Sequence, residues 1–90
     1  MIVLTSSEEE TRKFCHWLDI IQVHPVSFSC FKHFENSENK EFVFWLLDNQ
    51  IIMVNKEFPF PASEKFVTVQ RFKDILKKNK DKYSSLIFTS

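Results

Sequence analysis

The stretch that decides the fold is Phe42–Val54, which reads FVFWLLDNQIIMV. Two apolar arms flank Asp48-Asn49, and both of these residue types tolerate positive φ, which favours a two-residue type I′ turn. With that turn, one face of the hairpin carries Phe42, Phe44, Leu46, Ile51 and Met53, and the other carries Val43, Trp45, Leu47, Ile52 and Val54. A three-residue turn would re-pair the second arm. Both faces are apolar, so either helices cover both of them, or helices cover one and another molecule covers the other.

The residues before the hairpin predict a strand, a helix and a second strand. Ile2–Thr5 is a short strand, and Ser6 starts the helix through a capping box with Glu9. The helix buries one face, made of Phe14, Trp17, Leu18 and Ile21, and ends at His24-Pro25. Val26–Phe34 alternates well enough to predict a second strand, with Val26, Phe28 and Cys30 on one side.

The residues after the hairpin predict a second helix and a last strand. Phe58-Pro59-Phe60-Pro61 is extended and is excluded from the centre of a sheet by its prolines. Ser63–Val69 fits a short strand or the approach to a helix, and we favour the helix, with Thr68 as N-cap and Val69, Phe72, Ile75 and Leu76 inward. It ends near Lys80, and Leu86–Thr89 is a strand.

The predicted order is therefore β-α-β-β-β-α-β, a single α+β domain over residues 1–90. It combines two helices with an antiparallel or mixed sheet of about four to five strands, and a ferredoxin-like variant is the nearest named arrangement. If both helices lie on one face of the sheet, the other face is bare.

Composition excludes several classes of function. The 90 residues include no glycine, which excludes the P-loop, the GxGxxG turn and the G-x-S-x-G elbow. We expect a non-enzymatic protein without cofactors. We find no signal peptide and no apolar run long enough to span a membrane, and the two cysteines suit a reducing compartment, so we expect a cytoplasmic protein.

Charge is unevenly distributed although the net charge is zero. Residues 1–64 hold five Lys/Arg and ten Asp/Glu, whereas residues 65–90 hold seven Lys/Arg and two Asp/Glu. Lys73, Lys77 and Lys80 recur at helical spacing and form a basic stripe. The stripe is either a solvated face, a contact for an acidic partner, or, as the alternative function, the site of a nucleic-acid-binding regulator.

Cysteine and histidine offer two weaker hypotheses. Cys30-x-x-His33, joined by Cys15-His16, has a spacing that zinc accepts, and the same residues offer a Cys–His nucleophile pair. Against both stand the apolar periodicity around Cys15 and Cys30 and the absence of any motif for an oxyanion hole. We therefore predict reduced cysteines and no metal site.

The function that the sequence favours is protein binding. Interfaces enrich Trp, Phe and Met, and the hairpin and the Phe-Pro segment supply them. The predicted partner-binding residues are Val43, Trp45, Leu47, Ile52, Val54, Phe58 and Phe60. The partner is another protein, a second copy of the chain, or both. The composition, with Phe, Tyr, Met, Ile, Asn and Lys at 36 of 90 residues, is typical of an AT-rich genome. We therefore expect a phage or mobile-element inhibitor that occludes a host protein.

Overall fold

A computed structural model describes residues 1–21, 29–47 and 50–82, which form three helices and four strands. In chain order these are β1 Ile2–Leu4, α1 Glu8–Ile21, α2 Cys30–Asn36, β2 Phe42–Leu47, β3 Gln50–Asn55, β4 Phe66–Thr68 and α3 Val69–Lys78. The α+β class is as predicted, and the described residues hold one helix more than expected and four strands, within the predicted four to five.

The four strands form one mixed sheet in the order β3-β2-β1-β4. β2 pairs antiparallel with both β3 and β1, whereas β1 and β4 are parallel. Trp45 faces Ile52 and Leu47 faces Gln50, which is the register that a two-residue turn requires. The predicted division of the hairpin into two faces is confirmed, while Asp48 and Asn49 themselves lie outside the described residues.

All three helices pack on the same face of the sheet. Phe14 from α1 meets Phe44 from β2 edge to face, at 4.7 Å between ring centroids, and meets Phe72 from α3 at 5.8 Å. Cys15, Leu18, Cys30, Phe34, Val3, Leu46 and Leu76 complete the buried cluster. Within residues 1–21, 29–47 and 50–82 the helices therefore cover one face of the hairpin and leave the opposite face without a helix.

The helices α1 and α3 largely follow the predictions. In α1, Phe14 and Leu18 are buried and Trp17 and Ile21 half-buried, as the apolar periodicity indicated. Its cap is one residue later than expected: Ser7 Oγ accepts from Glu10 N at 3.1 Å, and Glu10 Oε1 accepts from Ser6 N at 2.7 Å.

In α3 the predicted N-cap is confirmed, because Thr68 Oγ1 accepts from Arg71 N at 3.1 Å. Phe72 and Leu76 are buried and Val69 and Ile75 are half-buried, as expected of the inward face. The helix ends at Lys78, and Asn79 caps it by donating to the Ile75 carbonyl. It is two residues shorter than predicted.

The predicted strand Val26–Phe34 is wrong over its described part. Residues 30–36 form α2, because Ser29 caps this helix by accepting from Lys32 N at 3.2 Å. Cys30 and Phe34, four residues apart, then share one buried side of the helix. Alternation of Ser and apolar residues suggested a strand, but a serine before an apolar i, i+4 pair also starts a helix.

The other differences concern short elements. Phe66–Thr68, which fitted either a strand or the approach to a helix, forms β4 by pairing with β1. Because α2 replaces a strand and β4 lies parallel to β1, the connectivity is not the ferredoxin-like one. The predicted end of α1 at His24-Pro25 and the predicted strand Leu86–Thr89 lie outside the described residues.

Candidate protein-binding face

The sheet face that points away from the helices, here called the outer face, is mostly apolar. It carries Ile2, Leu4, Val43, Trp45, Leu47, Ile52, Val54 and Phe66, with Thr68 at one edge. Residues directly opposite one another in a register share a face, which is why Ile2, Trp45, Ile52 and Phe66 form one row across all four strands.

Exposed apolar area is concentrated on this side of the molecule. Five large hydrophobic side chains are exposed among the described residues, and four belong to the outer face or lie against it. These are Leu4 (37% exposed), Ile52 (38%), Phe58 (45%) and Phe66 (54%). The fifth, Ile20, is 80% exposed on α1 and belongs to no such group. A contiguous exposed apolar surface is uncommon on a monomer and indicates a contact surface.

The connection between β3 and β4 lays aromatic rings over part of the outer face. Phe58 and Phe60 contact Trp45, at 5.7 and 5.1 Å between ring centroids, and contact each other at 5.1 Å. Phe60 also meets Phe66 edge to face at 6.3 Å. We call Trp45, Phe58, Phe60 and Phe66 the aromatic cluster.

Two turns hold the connection in place. At its start, Phe58 N donates to the Asn55 carbonyl at 3.0 Å, and Glu57 N donates to Asn55 Oδ1 at 2.9 Å. Near its end, Glu64 N donates to the Pro61 carbonyl at 3.1 Å. Between these turns the prolines restrict the backbone, so the two Phe rings reach the sheet from a stiff segment.

The indole of Trp45 has an unusual environment. Its Nε1 is buried and makes no hydrogen bond, a state that normally costs free energy. The Trp45 side chain lies close to Glu64, which accepts from the Met1 ammonium at 2.5 Å. That bond lowers the pKa of the Glu64 carboxyl, and the proximity of Trp45 acts in the same direction.

The predicted partner-binding residues are brought together, although they are not equally accessible. Trp45, Leu47, Val54 and Phe60 are half-buried, Val43 is buried, and Ile52 and Phe58 are exposed. Leu4 and Phe66 were not among the predicted residues, and they join the same face through β1 and β4. Alternation within Ile2–Leu4 was a signal for Leu4, but nothing local placed Phe66 beside Ile2.

The predicted basic stripe is interrupted. Lys73 is half-buried, with its Nζ 4.6 Å from the centre of the Trp17 ring, a cation–π contact. Lys77 is exposed on α3, and Lys80 lies beyond the end of the helix. The helix therefore offers a smaller continuous basic face than its sequence suggested.

Among the described residues, the cysteine and histidine side chains do not form a reactive site. Cys15 and Cys30 are buried and free, while His16 and His33 are exposed. Burial raises the pKa of each thiol to about 12, and the neighbouring Asp19 carboxylate adds to the effect. A thiol is nucleophilic and binds metal as the thiolate, which this environment disfavours. Within residues 1–21, 29–47 and 50–82, no group of three His, Cys, Asp or Glu side chains is placed to hold a metal ion.

A cleft of about 510 Å³ lies where β1 leads into α1, against the start of β2 and the end of β3. Its walls include the hydroxyls of Thr5, Ser6 and Ser7 and the side chains of Lys40 and Lys56. Lys40 Nζ is already bonded to the Phe34 and Glu35 carbonyls, at 2.7 and 2.8 Å. The described residues that line it include no His or Cys.

No protein-family model, no curated protein and no solved structure matches this chain. In the part of the chain that the structure describes, no helix has both the length and the apolar character needed to cross a membrane.

Proposed function

We propose that this protein is a non-catalytic protein-binding module that uses its outer face to cover a surface of another protein. The observation that carries the proposal is the grouping of Leu4, Ile52, Phe58 and Phe66, exposed on one side of a sheet whose other side holds the core. Burying such side chains contributes about 25 cal/mol per Å² of apolar area, which makes this face the strongest source of binding energy among the described surfaces.

The composition of the face supports a protein as the partner. Phe and Trp supply large rigid contact areas, and they are enriched where proteins bind one another. Phe58 and Phe66 lie at the rim of the aromatic cluster, with half of their area open, so a partner side chain can insert between rings that are already in place. Little ordering of the face is then needed on binding.

We further propose that the module acts as an inhibitor of the protein it covers. A module that only covers a surface needs no reactive group, which agrees with the buried, protonated thiols of Cys15 and Cys30. The amino-acid composition is typical of an AT-rich genome, which supports an origin in a phage or mobile element, with a host protein as the target. The nucleic-acid alternative rests on the basic residues of α3 and is tested separately.

The experiment compares two apolar-to-polar substitutions at exposed positions. Phe66→Ser alters the outer face, and Ile20→Ser is the matched control on α1. Both proteins are used as bait in lysate of the host cell, and bound proteins are identified by mass spectrometry. We expect one partner retained by wild type and Ile20→Ser, with at least about tenfold less recovered on Phe66→Ser, as for loss of an interface hot spot. Equal recovery on both variants would exclude the outer face as the binding surface.

A further inference from the structure

Within the described residues, nothing protects the edge strand β3 against pairing with another strand. It lies at one end of the sheet, and among the described residues no strand pairs with its outer edge. Its sequence, Gln50-Ile-Ile-Met-Val-Asn55, contains no charged residue and no proline. Natural edge strands of this length, about 20 Å, usually carry a lysine, a proline or a bulge that prevents such pairing.

The register shows which backbone groups of β3 point outward. Lys56 N donates to the Glu41 carbonyl at 3.0 Å, so Glu41 and Lys56 form a hydrogen-bonded pair of the antiparallel ladder. Hydrogen-bonded and non-bonded pairs alternate, so Ile52 and Val54 are bonded to β2. The N–H and C=O groups of Ile51 and Met53 therefore point away from β2, in the plane of the sheet, towards its open edge.

One end of this edge is already closed. The backbone groups of Asn55 point outward like those of Ile51 and Met53, but the Asn55 carbonyl accepts from Phe58 N at 3.0 Å. The outward groups left along the strand are thus the N–H and C=O of Ile51 and of Met53, and the N–H of Asn55. To satisfy the groups of Ile51 and Met53, a partner strand has to present two donors and two acceptors at that spacing.

A second copy of β3 presents that pattern. In an antiparallel pair with its two-fold axis at Ile52, Ile51 of each copy faces Met53 of the other, and the two pairs form four hydrogen bonds. An axis at Met53 would face Ile51 with Asn55, whose carbonyl is occupied, and would leave the Ile51 N–H without an acceptor, whereas the axis at Ile52 pairs every N–H and C=O of Ile51 and Met53. We propose that the protein forms a two-fold symmetric dimer in which two β3 strands pair across Ile52 and join the sheets of both copies.

Side chains near the edge also fit a second copy. Ile52 is 38% exposed on the outer face, and at the axis it faces its own copy in a non-bonded pair, where side chains approach closely. Ile51 and Met53 on the core side are only half-buried. In this register Ile52 faces Ile52 of the second copy, and Ile51 faces Met53. Every facing pair over residues 51–53 is therefore apolar, and no two like charges face each other there.

The dimer shares Ile52 with the proposed binding face but leaves Phe66 outside the contact between copies, so the two proposals can be tested separately. The order of strands becomes β4-β1-β2-β3 followed by β3-β2-β1-β4 of the second copy, so both copies of Phe66 lie at the far ends of the joined sheet. The axis is perpendicular to the sheet, so the two outer faces lie on the same side. Loss of the dimer therefore leaves Phe66 available, and loss of the partner leaves the dimer intact.

The test removes one outward N–H and keeps everything else matched. Met53→Pro deletes a donor that β2 does not use, and proline is tolerated on an edge strand where its missing N–H faces solvent. Met53→Ala loses the same side chain but keeps the N–H. Sedimentation equilibrium from about 1 µM to about 1 mM should show a dimer for wild type and Met53→Ala. Met53→Pro should dimerise at least about tenfold more weakly than Met53→Ala, because two of the four bonds are lost.

Two results would overturn the proposal: a wild-type protein that stays monomeric at the highest concentration, or equal dimerisation of the two variants. If Met53→Pro fails to fold, amide exchange of wild type decides. The Ile51 and Met53 amides should exchange fast in dilute protein and become protected as concentration rises, while those of Ile52 and Val54 stay protected throughout. Protection of Ile51 and Met53 that does not change with concentration would also refute the proposal.

Discussion

Asp19 is the residue that joins α2 to α1. Its carboxylate accepts from Ser29 Oγ at 2.7 Å, from Cys30 N at 2.8 Å and from Phe31 N at 3.1 Å. The N–H groups of Cys30 and Phe31 are at the start of α2 and have no acceptor within that helix. A side chain of α1 therefore caps α2. A negative charge also interacts favourably with the N-terminal end of a helix.

Asp19→Ala should therefore destabilise the protein by about 2 kcal/mol, because it leaves two partly buried N–H groups and the Ser29 hydroxyl without their acceptor. Urea unfolding measures the loss. The matched control is Glu9→Ala, whose carboxylate is 76% exposed and pairs with Lys13 at 3.6 Å. That change should cost less than about 0.5 kcal/mol. Equal effects of the two substitutions would contradict the capping role of Asp19.

Cys15 and Cys30 should make the folded protein sensitive to alkaline pH. Their pKa values are raised to about 12 in the fold, whereas a thiol in the unfolded chain titrates near 8.5. Between these values the unfolded chain has lost protons that the folded chain keeps. The free energy of unfolding therefore falls as pH rises from about 9 towards 12, by up to about 2.7 kcal/mol per pH unit for two thiols.

The measurement is urea unfolding between about pH 8 and pH 10, which brackets the titration of an unfolded thiol. The Cys15→Ala/Cys30→Ala double variant is the control, since it keeps every other titrating group. Its stability should fall less steeply with pH than that of wild type. Parallel curves would show that the two thiols ionise as readily in the folded protein as in the unfolded chain.

At the scale of the elements, the β2–β3 hairpin carries both faces of the sheet. Trp45 lies on its outer face under Phe58 and Phe60 of the same chain, so it stabilises the fold as well as shaping the binding surface. Trp45→Ala should cost about 3 kcal/mol of stability through lost packing. Trp45→Phe should cost less than about 1 kcal/mol, because it also removes an N–H that is buried without a partner.

Thermal unfolding of both Trp45 variants checks this prediction, together with their affinity for the captured partner. A melting temperature unchanged in Trp45→Ala would mean that the ring is held by the partner and not by its own chain. A large loss in Trp45→Phe would mean that the indole N–H has a hydrogen-bond acceptor in solution.

The helix α3 separates the protein-binding function from the nucleic-acid alternative. We predict that Lys73, Lys77 and Lys80 do not form a nucleic-acid site, because Lys73 packs on Trp17 and the acidic residues of the first 64 positions repel phosphates. Gel-shift assays with DNA and RNA at about 150 mM salt should give a Kd no tighter than about 10⁻⁶ M.

Replacing all three lysines with Glu should leave the fold intact, apart from about 0.5–1 kcal/mol for the cation–π contact of Lys73. If the partner is acidic, the triple variant should bind it more slowly, chiefly through the on-rate. Sub-micromolar binding of a nucleic acid by wild type, lost in the triple variant, would make the alternative function the leading one.

At the scale of the whole molecule, we predict that the purified protein contains no stoichiometric zinc. A zinc site needs four ligands, usually with deprotonated cysteines, and the Cys15 and Cys30 thiols are held in the protonated form. Elemental analysis of protein prepared without chelators measures the content. About one zinc per chain, lost together with the fold on addition of a chelator, would restore the zinc hypothesis.

The sequence by itself determined the hairpin and its two faces. It also determined the helix α1, which precedes the hairpin in the chain, and the helix α3, which follows it. Alternation of side chains along a strand and the 3.6-residue period of a helix are local rules. Alternation placed Trp45 and Phe44 on opposite faces of the sheet, and the helical period placed Phe72 towards the core. Thr68 was identifiable as a cap for the same reason, since a cap acts within three residues.

Only the tertiary structure decided where the apolar faces meet. The parallel pairing of β1 with β4 joins residues 64 positions apart, and no local signal specifies it, so Phe66 and Leu4 were not among the predicted residues. The helix α2 depends on Asp19, ten residues before Ser29, and without that distant acceptor the segment resembles a strand. All three helices pack on one face of the sheet because the rings of Phe14, Phe44 and Phe72 are buried together. These rings come from distant parts of the chain, and local rules do not relate such parts to each other.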